Sequence, residues 1–395
     1  MRVCPLLVSI TAISACFGAH AIDISLPHLL KSAREIAVGL ADSFGHQLTP
    51  SYLFNFVDNL VMGYPMEFAS RITSKICAAV LTEHIIKLDS ADIPSMDDIF
   101  IQFRTACNIK ECRLKDFSSI VDFPDFDASK KVVIASSGWL TNANKSDDVL
   151  DSLAKAYNCR GDTNFLGIDV GRDLEEMYTW SALNTKTIGE QIANALVNLT
   201  KVVPLENFHL MGHSLGAQIV GEAARHFKNL TGKQIPHVTG FDPAGPCFNY
   251  GETLTTLSAG DAGYVDIIHT NPGIAGQSGA TGDSDFFVGG HFPIQNGCFT
   301  SICSHSRSWQ YYVESVYPGN ENNFLTKRCD SLLHLKQGRC VGEEYPMGYA
   351  VPKNLKGIYI LEVNPTASYG KNASYSYTTP SGEYCSCEST STSSY

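Results

Sequence analysis

Residues 208–218 read Phe-His-Leu-Met-Gly-His-Ser-Leu-Gly-Ala-Gln, and the order of residue types in this stretch decides the fold. The apolar run ending at Met211 has the composition of a buried strand, Gly212-His213-Ser214-Leu215-Gly216 is a G-x-S-x-G turn, and a helical pattern follows Ser214. A turn this sharp forces the residue at its apex into a strained, exposed conformation, and glycine on either side admits neighbouring backbone that a Cβ would block. Ser214 is therefore the candidate nucleophile, with the helix amino terminus and its positive dipole end beneath the hydroxyl. The five-residue pattern alone is a weak signal. The strand before it and the helix after it give it mechanical meaning.

Outward from this turn, short apolar or β-branched runs at 132–135, 164–168 and 265–268 alternate with helical stretches at 147–157 and 187–199. That rhythm predicts an α/β fold with a mostly parallel central sheet and helices on both faces. In such a sheet ligands bind beyond the carboxyl ends of the strands. The strand expected over 236–241 ends at Phe241 and delivers Asp242 to that edge; Asp266, inside the strand pattern 264–268, is the rival acid, and topology favours Asp242. A serine hydroxyl also needs a base. His269, His291, His305 and His334 all lie downstream. His305 has the best setting, because Cys298 and Cys303 precede it and a short disulfide loop there would fix an exposed turn and the ring it carries. His269, closing an apolar strand, reads as structural. The negative oxygen of an acyl-transfer intermediate needs preorganised donors, for which the candidates are the N–H groups of Leu215 and of Trp139, in the loop after 132–135.

A chain that is 44% apolar and 17% charged can bury a sizeable core. Its formal charge of −11 argues against nucleic acid and anionic membranes as partners, so any lipid contact must be mainly apolar. The sequence has no His-Glu-x-x-His, no paired Cys-x-x-Cys and no phosphate-binding loop with its lysine, so neither a metal nor a cofactor is expected. Met1-Arg2, an apolar run over 3–17 and Ala19-His20-Ala21 have the order of a cleavable secretory signal, with cleavage after Ala21, and that run is short for a membrane span. Secretion makes Asn144, Asn198, Asn229 and Asn372 glycosylation candidates. Of the 13 cysteines, Cys4 and Cys16 leave with the signal, so 13 minus 2, or 11, remain where disulfides persist, and an odd number leaves at least one unpaired. Spacing does not fix the partners of Cys77, Cys107, Cys112, Cys159, Cys247, Cys385 and Cys387. The organisation expected is a signal peptide over 1–21, a helical extension over 22–98, an α/β domain over 99–370 and a tail over 371–395. That tail is expected to be disordered, since 16 of the 24 residues from 372 onward are Ser, Thr or Tyr.

Four segments carry a resemblance: 212–218, Gly-Phe-Asp-Pro-Ala-Gly-Pro-Cys-Phe at 240–248, Tyr-Val-Asp-Ile-Ile-His-Thr at 264–270 and Cys-Ser-His-Ser-Arg-Ser at 303–308. In that order they resemble the pancreatic (neutral) lipase family, including its insect members and phospholipases A1, and the resemblance extends over 103–369. It implies the α/β-hydrolase fold and a triad of Ser214, Asp242 and His305, supporting Asp242 over Asp266 and His305 over the other histidines. It also implies a disulfide between Cys329 and Cys340.

Departures from the family pattern refine the expectation. The family's lid lies between cysteines matching Cys298 and Cys303, but only Phe299, Thr300, Ser301 and Ile302 separate them here. The stretch 269–285 is also short and glycine-rich. Both features resemble the phospholipase A1 branch and tip the expected substrate toward phospholipid or galactolipid rather than triacylglycerol. The family's calcium carboxylates fall at Thr253 and Ser258, with only Asp261 kept, so calcium is not expected; Ser137 stands where a histidine usually precedes the oxyanion-loop glycine. The C-terminal β-sandwich of classical pancreatic lipase is not expected, nor a protein partner bound through it. The resemblance thus implies a secreted lipid-ester hydrolase working on lipid at an interface. The alternative is a non-catalytic lipid-binding or yolk-storage protein, because insect yolk proteins resemble this family and lack the nucleophile.

Overall fold

A computed structural model describes Ser74, Cys77 and residues 94–139, 149–170, 178–249, 254–371 and 373. The expected signal peptide, nearly all of the helical extension and tail, and the acceptors Asn144 and Asn372 lie outside these residues. Asn198 and Asn229 are described and exposed.

The described residues form one eleven-stranded sheet. In chain order its strands are β1 (Phe100–Arg104), β2 (Ile109–Arg113), β3 (Lys131–Ser136), β4 (Thr163–Asp169), β5 (Phe208–His213), β6 (His237–Phe241), β7 (Val265–His269), β8 (Ser284–Val288), β9 (Leu325–Cys329), β10 (Glu344–Pro346) and β11 (Gly357–Leu361). The spatial order is β10-β9-β11-β8-β7-β6-β5-β3-β4-β1-β2. From β4 to β11 neighbours run parallel, while β1 and β2 at one edge and β9 and β10 at the other are antiparallel additions. The helices are α1 (Val149–Arg160), α2 (Tyr178–Leu199), α3 (Leu215–Thr231), α4 (Ser301–Val316) and α5 (Leu332–Lys336).

Central parallel strands are buried on both faces, which is why they read as apolar runs rather than alternations. The period of two is visible in β3, where Val132 and Ile134 pack with α2 and α3 while Val133 and Ala135 pack with α1 and α4. This is the α/β-hydrolase architecture.

One expectation on the elements needs correction. Helix α2 starts at Tyr178, not at 187. Ser181, Asn184 and Thr185 interrupt the apolar period, yet all three are buried, and the Thr185 hydroxyl donates to the Ala182 carbonyl at 2.8 Å. Cys77, in the expected amino-terminal extension and with its partner left open by spacing, forms a disulfide with Cys247 and lies in the same apolar core as β3 and α3. Disulfides also join Cys298 to Cys303 and Cys329 to Cys340. Cys107 and Cys159 are disulfide-bonded as well, whereas Cys112 is a free thiol whose pKa burial raises to about 11.

Candidate active site

Ser214 occupies the single residue between β5 and α3 with φ 57° and ψ −121°, in the left-handed region that non-glycine residues avoid. The flanking glycines make this possible. A Cβ on Gly212 would stand 2.2 Å from the Gly216 carbonyl oxygen, and one on Gly216 would stand 2.3 Å from the Ser137 carbonyl oxygen. Strand β6 lies beside β5 in register, His213 opposite Phe241, so Ser214 and Asp242 leave adjacent strand ends side by side. The Ser214 amide donates to the Phe241 carbonyl at 3.0 Å.

Asp242 is fully buried and also has positive φ, at 42°. Its Oδ1 accepts from the backbone amides of Thr270 at 2.9 Å and Asn271 at 3.1 Å, just beyond β7. Its Oδ2 stands 2.6 Å from Nδ1 of His305. Gly276 closes over the carboxylate, where a Cβ would come within 2.3 Å of Oδ1.

The support of His305 differs from the exposed turn expected. The ring is carried by the fifth residue of α4, and its side chain is only 12% exposed. Thr300 caps that helix by accepting from the Cys303 amide, and the Cys298–Cys303 disulfide straddles the start of the helix. The remaining candidates are engaged elsewhere. Asp266 is fully buried and accepts from the Thr239 hydroxyl at 2.7 Å and lies 2.7 Å from His237 Nε2, toward the amino ends of the strands. His269 pairs with Asp285 at 2.8 Å, His291 donates to the Ser278 carbonyl at 2.8 Å, and His334 lies 3.5 Å from Asp330.

On the other side of Ser214 lies the 137–139 loop. A Cβ on Gly138 would come within 2.8 Å of the Ser214 Cβ, and the next residue, Trp139, packs edge-on against Tyr178 with ring centroids 5.4 Å apart. Leu215 is the first residue of α3. Three features escape a reading of the sequence: the amides holding Asp242, the closeness of Gly276, and the packing of His213 against His305, ring centroids 4.4 Å apart. Backbone donors leave no mark on a sequence. The position of His213, one residue before Ser214, was the available signal for the last.

Asp261, the carboxylate retained at the family's calcium position, is paired with Arg225. Among the described residues no three His, Cys, Asp or Glu side chains are gathered to hold a metal, and no helix is long and apolar enough to cross a membrane.

A strand-to-helix turn bearing a serine at the carboxyl edge of a parallel sheet, with a carboxylate and imidazole in contact beside it, is the arrangement of the α/β-hydrolase class. The Lipase family model matches residues 80–369, and the chain belongs to that family. It is 34% identical over 241 residues to Vitellogenin-1 of Ceratitis capitata, covering 60% of this chain and 55% of the relative. It is 33% identical over 229 residues to Vitellogenin-3 of Drosophila melanogaster, covering 58% and 54%. Lipoprotein lipase of Homo sapiens is 31% identical over 241 residues, with 55% and 50% covered. The chain spans about half the length of these curated relatives.

Proposed function

We propose that the chain is a secreted carboxylic-ester hydrolase that attacks lipid at a surface, with Ser214 as nucleophile, His305 as base and Asp242 as its orienting acid. The observation that carries the reading is the Asp242–His305 contact, beside a serine held in strained geometry on the adjoining strand end. Asp242 Oδ2 accepts from His305 Nδ1–H, which leaves Nε2 bare to take the Ser214 proton as Oγ bonds to the acyl carbon. The amides of Leu215 and Trp139 are the proposed donors to the negative oxygen. Collapse expels the alcohol, which leaves with the proton from His305, and water then hydrolyses the acyl-enzyme by the same steps.

A lipid surface is favoured over a soluble ester by the rim of the site. From Phe286 to Ser306 the chain has no Asp, Glu, Lys or Arg. Within that stretch Phe292, Ile294, Phe299 and Ile302 are exposed, Phe299 at 98%. The rim is tied to the site. Asn271, whose amide holds Asp242, donates through its side chain to the Pro293 carbonyl, and the Gln295 backbone amide donates to the hydroxyl of Ser304, next to His305, at 2.9 Å. Exposed apolar side chains grouped in this way mark an interaction surface. The four-residue span between Cys298 and Cys303 leaves the site without a long lid, which favours lipids with bulky polar headgroups, phospholipid or galactolipid, as in a phospholipase A1.

The vitellogenin relatives keep a second reading open, a non-catalytic lipid-binding or storage protein. Covalent labelling by a fluorophosphonate separates the two. We expect the wild type to label and Ser214→Ala not to; a wild type that stays unlabelled, or equal labelling of both, would remove the hydrolase reading. Product analysis on phosphatidylcholine, galactolipid and triolein side by side then tests the substrate class, and release of fatty acid from triolein alone would overturn the polar-lipid preference.

A further inference from the structure

We propose that His213, the residue before the nucleophile, is a positioning residue that sets the imidazole of His305 from behind; this rests on the ester-hydrolase reading above. His213 is only 6% exposed, and its Nε2 lies 3.2 Å from the backbone carbonyl oxygen of His305. A carbonyl only accepts, so His213 Nε2 carries the hydrogen and donates, which leaves Nδ1 bare. The two rings are in contact at a 43° tilt, with centroids 4.4 Å apart.

Three contacts therefore fix His305. Asp242 holds one edge of the ring at Nδ1, the tilted ring of His213 packs against it, and the main-chain carbonyl of His305 receives His213 Nε2–H together with the hydroxyls of Ser308 at 2.9 Å and Thr270 at 3.5 Å. An imidazole held at one nitrogen alone can swing about that bond. The hydrogen bond from His213 Nε2 to the His305 carbonyl steadies the main chain that carries the ring, and a base misplaced by about 1 Å costs on the order of 100-fold in rate.

His213 is not a rival base. Its one bare nitrogen, Nδ1, is buried without a hydrogen-bond partner and faces Gly138, where a Cβ would come within 3.2 Å of it. Burial first, and then the neighbouring His305, hold its pKa well below the usual imidazole value, so the ring stays neutral. An unpartnered buried nitrogen is destabilising. Phenylalanine would fill the same space without that cost, but the His305 carbonyl would lose this donor. The donor therefore belongs to turnover rather than to stability.

The test uses the full chain and a soluble ester, p-nitrophenyl butyrate, with His213→Phe and His213→Gln; the glutamine amide nitrogen reaches the place of Nε2. His213→Phe is expected to lower kcat at least about 10-fold, with KM within about twofold and a Tm equal to or above wild type. His213→Gln is expected to regain most of that kcat. A kcat within about twofold of wild type in His213→Phe, or the same loss in His213→Gln, overturns the proposal. Wild type against Ser214→Ala in the same assay tests the hydrolase reading separately. If the wild type does not turn over this ester, histidine-selective 15N spectra decide. An Nε2–H tautomer at His213, with His305 resonances displaced in His213→Phe, sustains the contact; an Nδ1–H tautomer, or unmoved His305 resonances, overturns it.

Discussion

The guanidinium of Arg225 grips the carboxylate of Asp261 through two parallel hydrogen bonds, Nε to Oδ1 at 2.9 Å and Nη2 to Oδ2 at 2.8 Å. Nη2 also donates to the Thr256 carbonyl at 3.0 Å, so a residue on α3, behind the nucleophile, fastens the loop that follows Asp242. Burial pushes the Asp261 carboxyl up more than Arg225 pulls it down, and an Asp261 without that partner is a largely buried charge left with only the Ser258 amide and the weaker pull of Lys228. Arg225→Gln is therefore expected to cost about 2 to 4 kcal/mol of stability, read as a fall in Tm. Since a side-chain cation already faces Asp261, a calcium chelator is expected to leave the wild-type Tm unchanged. A chelator-induced fall would show that a metal, not the arginine, holds this loop.

Asp242→Asn tests the orienting role of the carboxylate. An asparagine whose carbonyl accepts from the Thr270 and Asn271 amides must present its NH2 to His305 Nδ1. That nitrogen then has to be the acceptor, the proton moves to Nε2, and the base is blocked. A loss in kcat of about 10⁴-fold is expected with the fold retained, measured on a soluble ester beside circular dichroism. Retention of kcat within tenfold would remove Asp242 from the mechanism.

The sequence reveals those parts of this molecule where side-chain type is tied to backbone geometry. The turn at Ser214 is legible because two glycines are required by contacts with the carbonyls of Gly216 and Ser137, and the sheet is legible because its central strands are buried on both faces. The edge strands are not. In β2 (Ile-Lys-Glu-Cys-Arg) and β9 (Leu-Thr-Lys-Arg-Cys) polar residues face solvent and no apolar run survives. His305 is singled out by its neighbouring cysteines and by resemblance, while its position on a helix rather than a turn rests on the Thr300 cap. The link from Cys77 to Cys247 spans 170 residues and has no local signature.

Stability should fall with mild acid because of a buried pair at the opposite end of the sheet. His209 and His237 stack with centroids 3.6 Å apart, His237 meets Lys353 at 2.8 Å, and both imidazoles have pKa values well below 6.5, from burial first and then from each other or Lys353. As pH drops below the unfolded value, the unfolded chain binds protons that the folded chain refuses. The contribution is complete above about pH 6.5 and is lost as pH falls toward the folded values, at about 1.4 kcal/mol per unit of separation. Asp266 faces the pair with its own pKa raised by burial and gives the opposite slope, so the informative quantity is a difference. His209→Gln, which keeps a partner for Thr239, is expected to lose less Tm than wild type between pH 7.5 and 5.5. Parallel curves would remove the histidine pair as the cause.

The uncharged rim of the site makes the last prediction. Phe299 and Ile302 lie between the paired Cys298 and Cys303 and are exposed to solvent shortly before His305, in a chain whose net charge of −11 leaves apolar burial as the main attraction to a lipid surface. Each side chain transferred from water contributes about 1.5 to 3 kcal/mol when fully buried, and tenfold in affinity is about 1.4 kcal/mol. In a Ser214→Ala background, which leaves lipid intact during the measurement, Phe299→Asp is expected to weaken partitioning onto phosphatidylcholine vesicles about 10- to 100-fold. Raising the salt from about 0.05 to 0.5 M should leave the partitioning unchanged, since no exposed Lys or Arg lies in this stretch to be screened. With Ser214 restored, Phe299→Asp should hydrolyse a soluble short-chain ester at the wild-type rate, because the soluble ester needs the triad and not the rim. Partitioning unaffected by Phe299→Asp, or abolished by salt, would place lipid binding on another surface of the molecule.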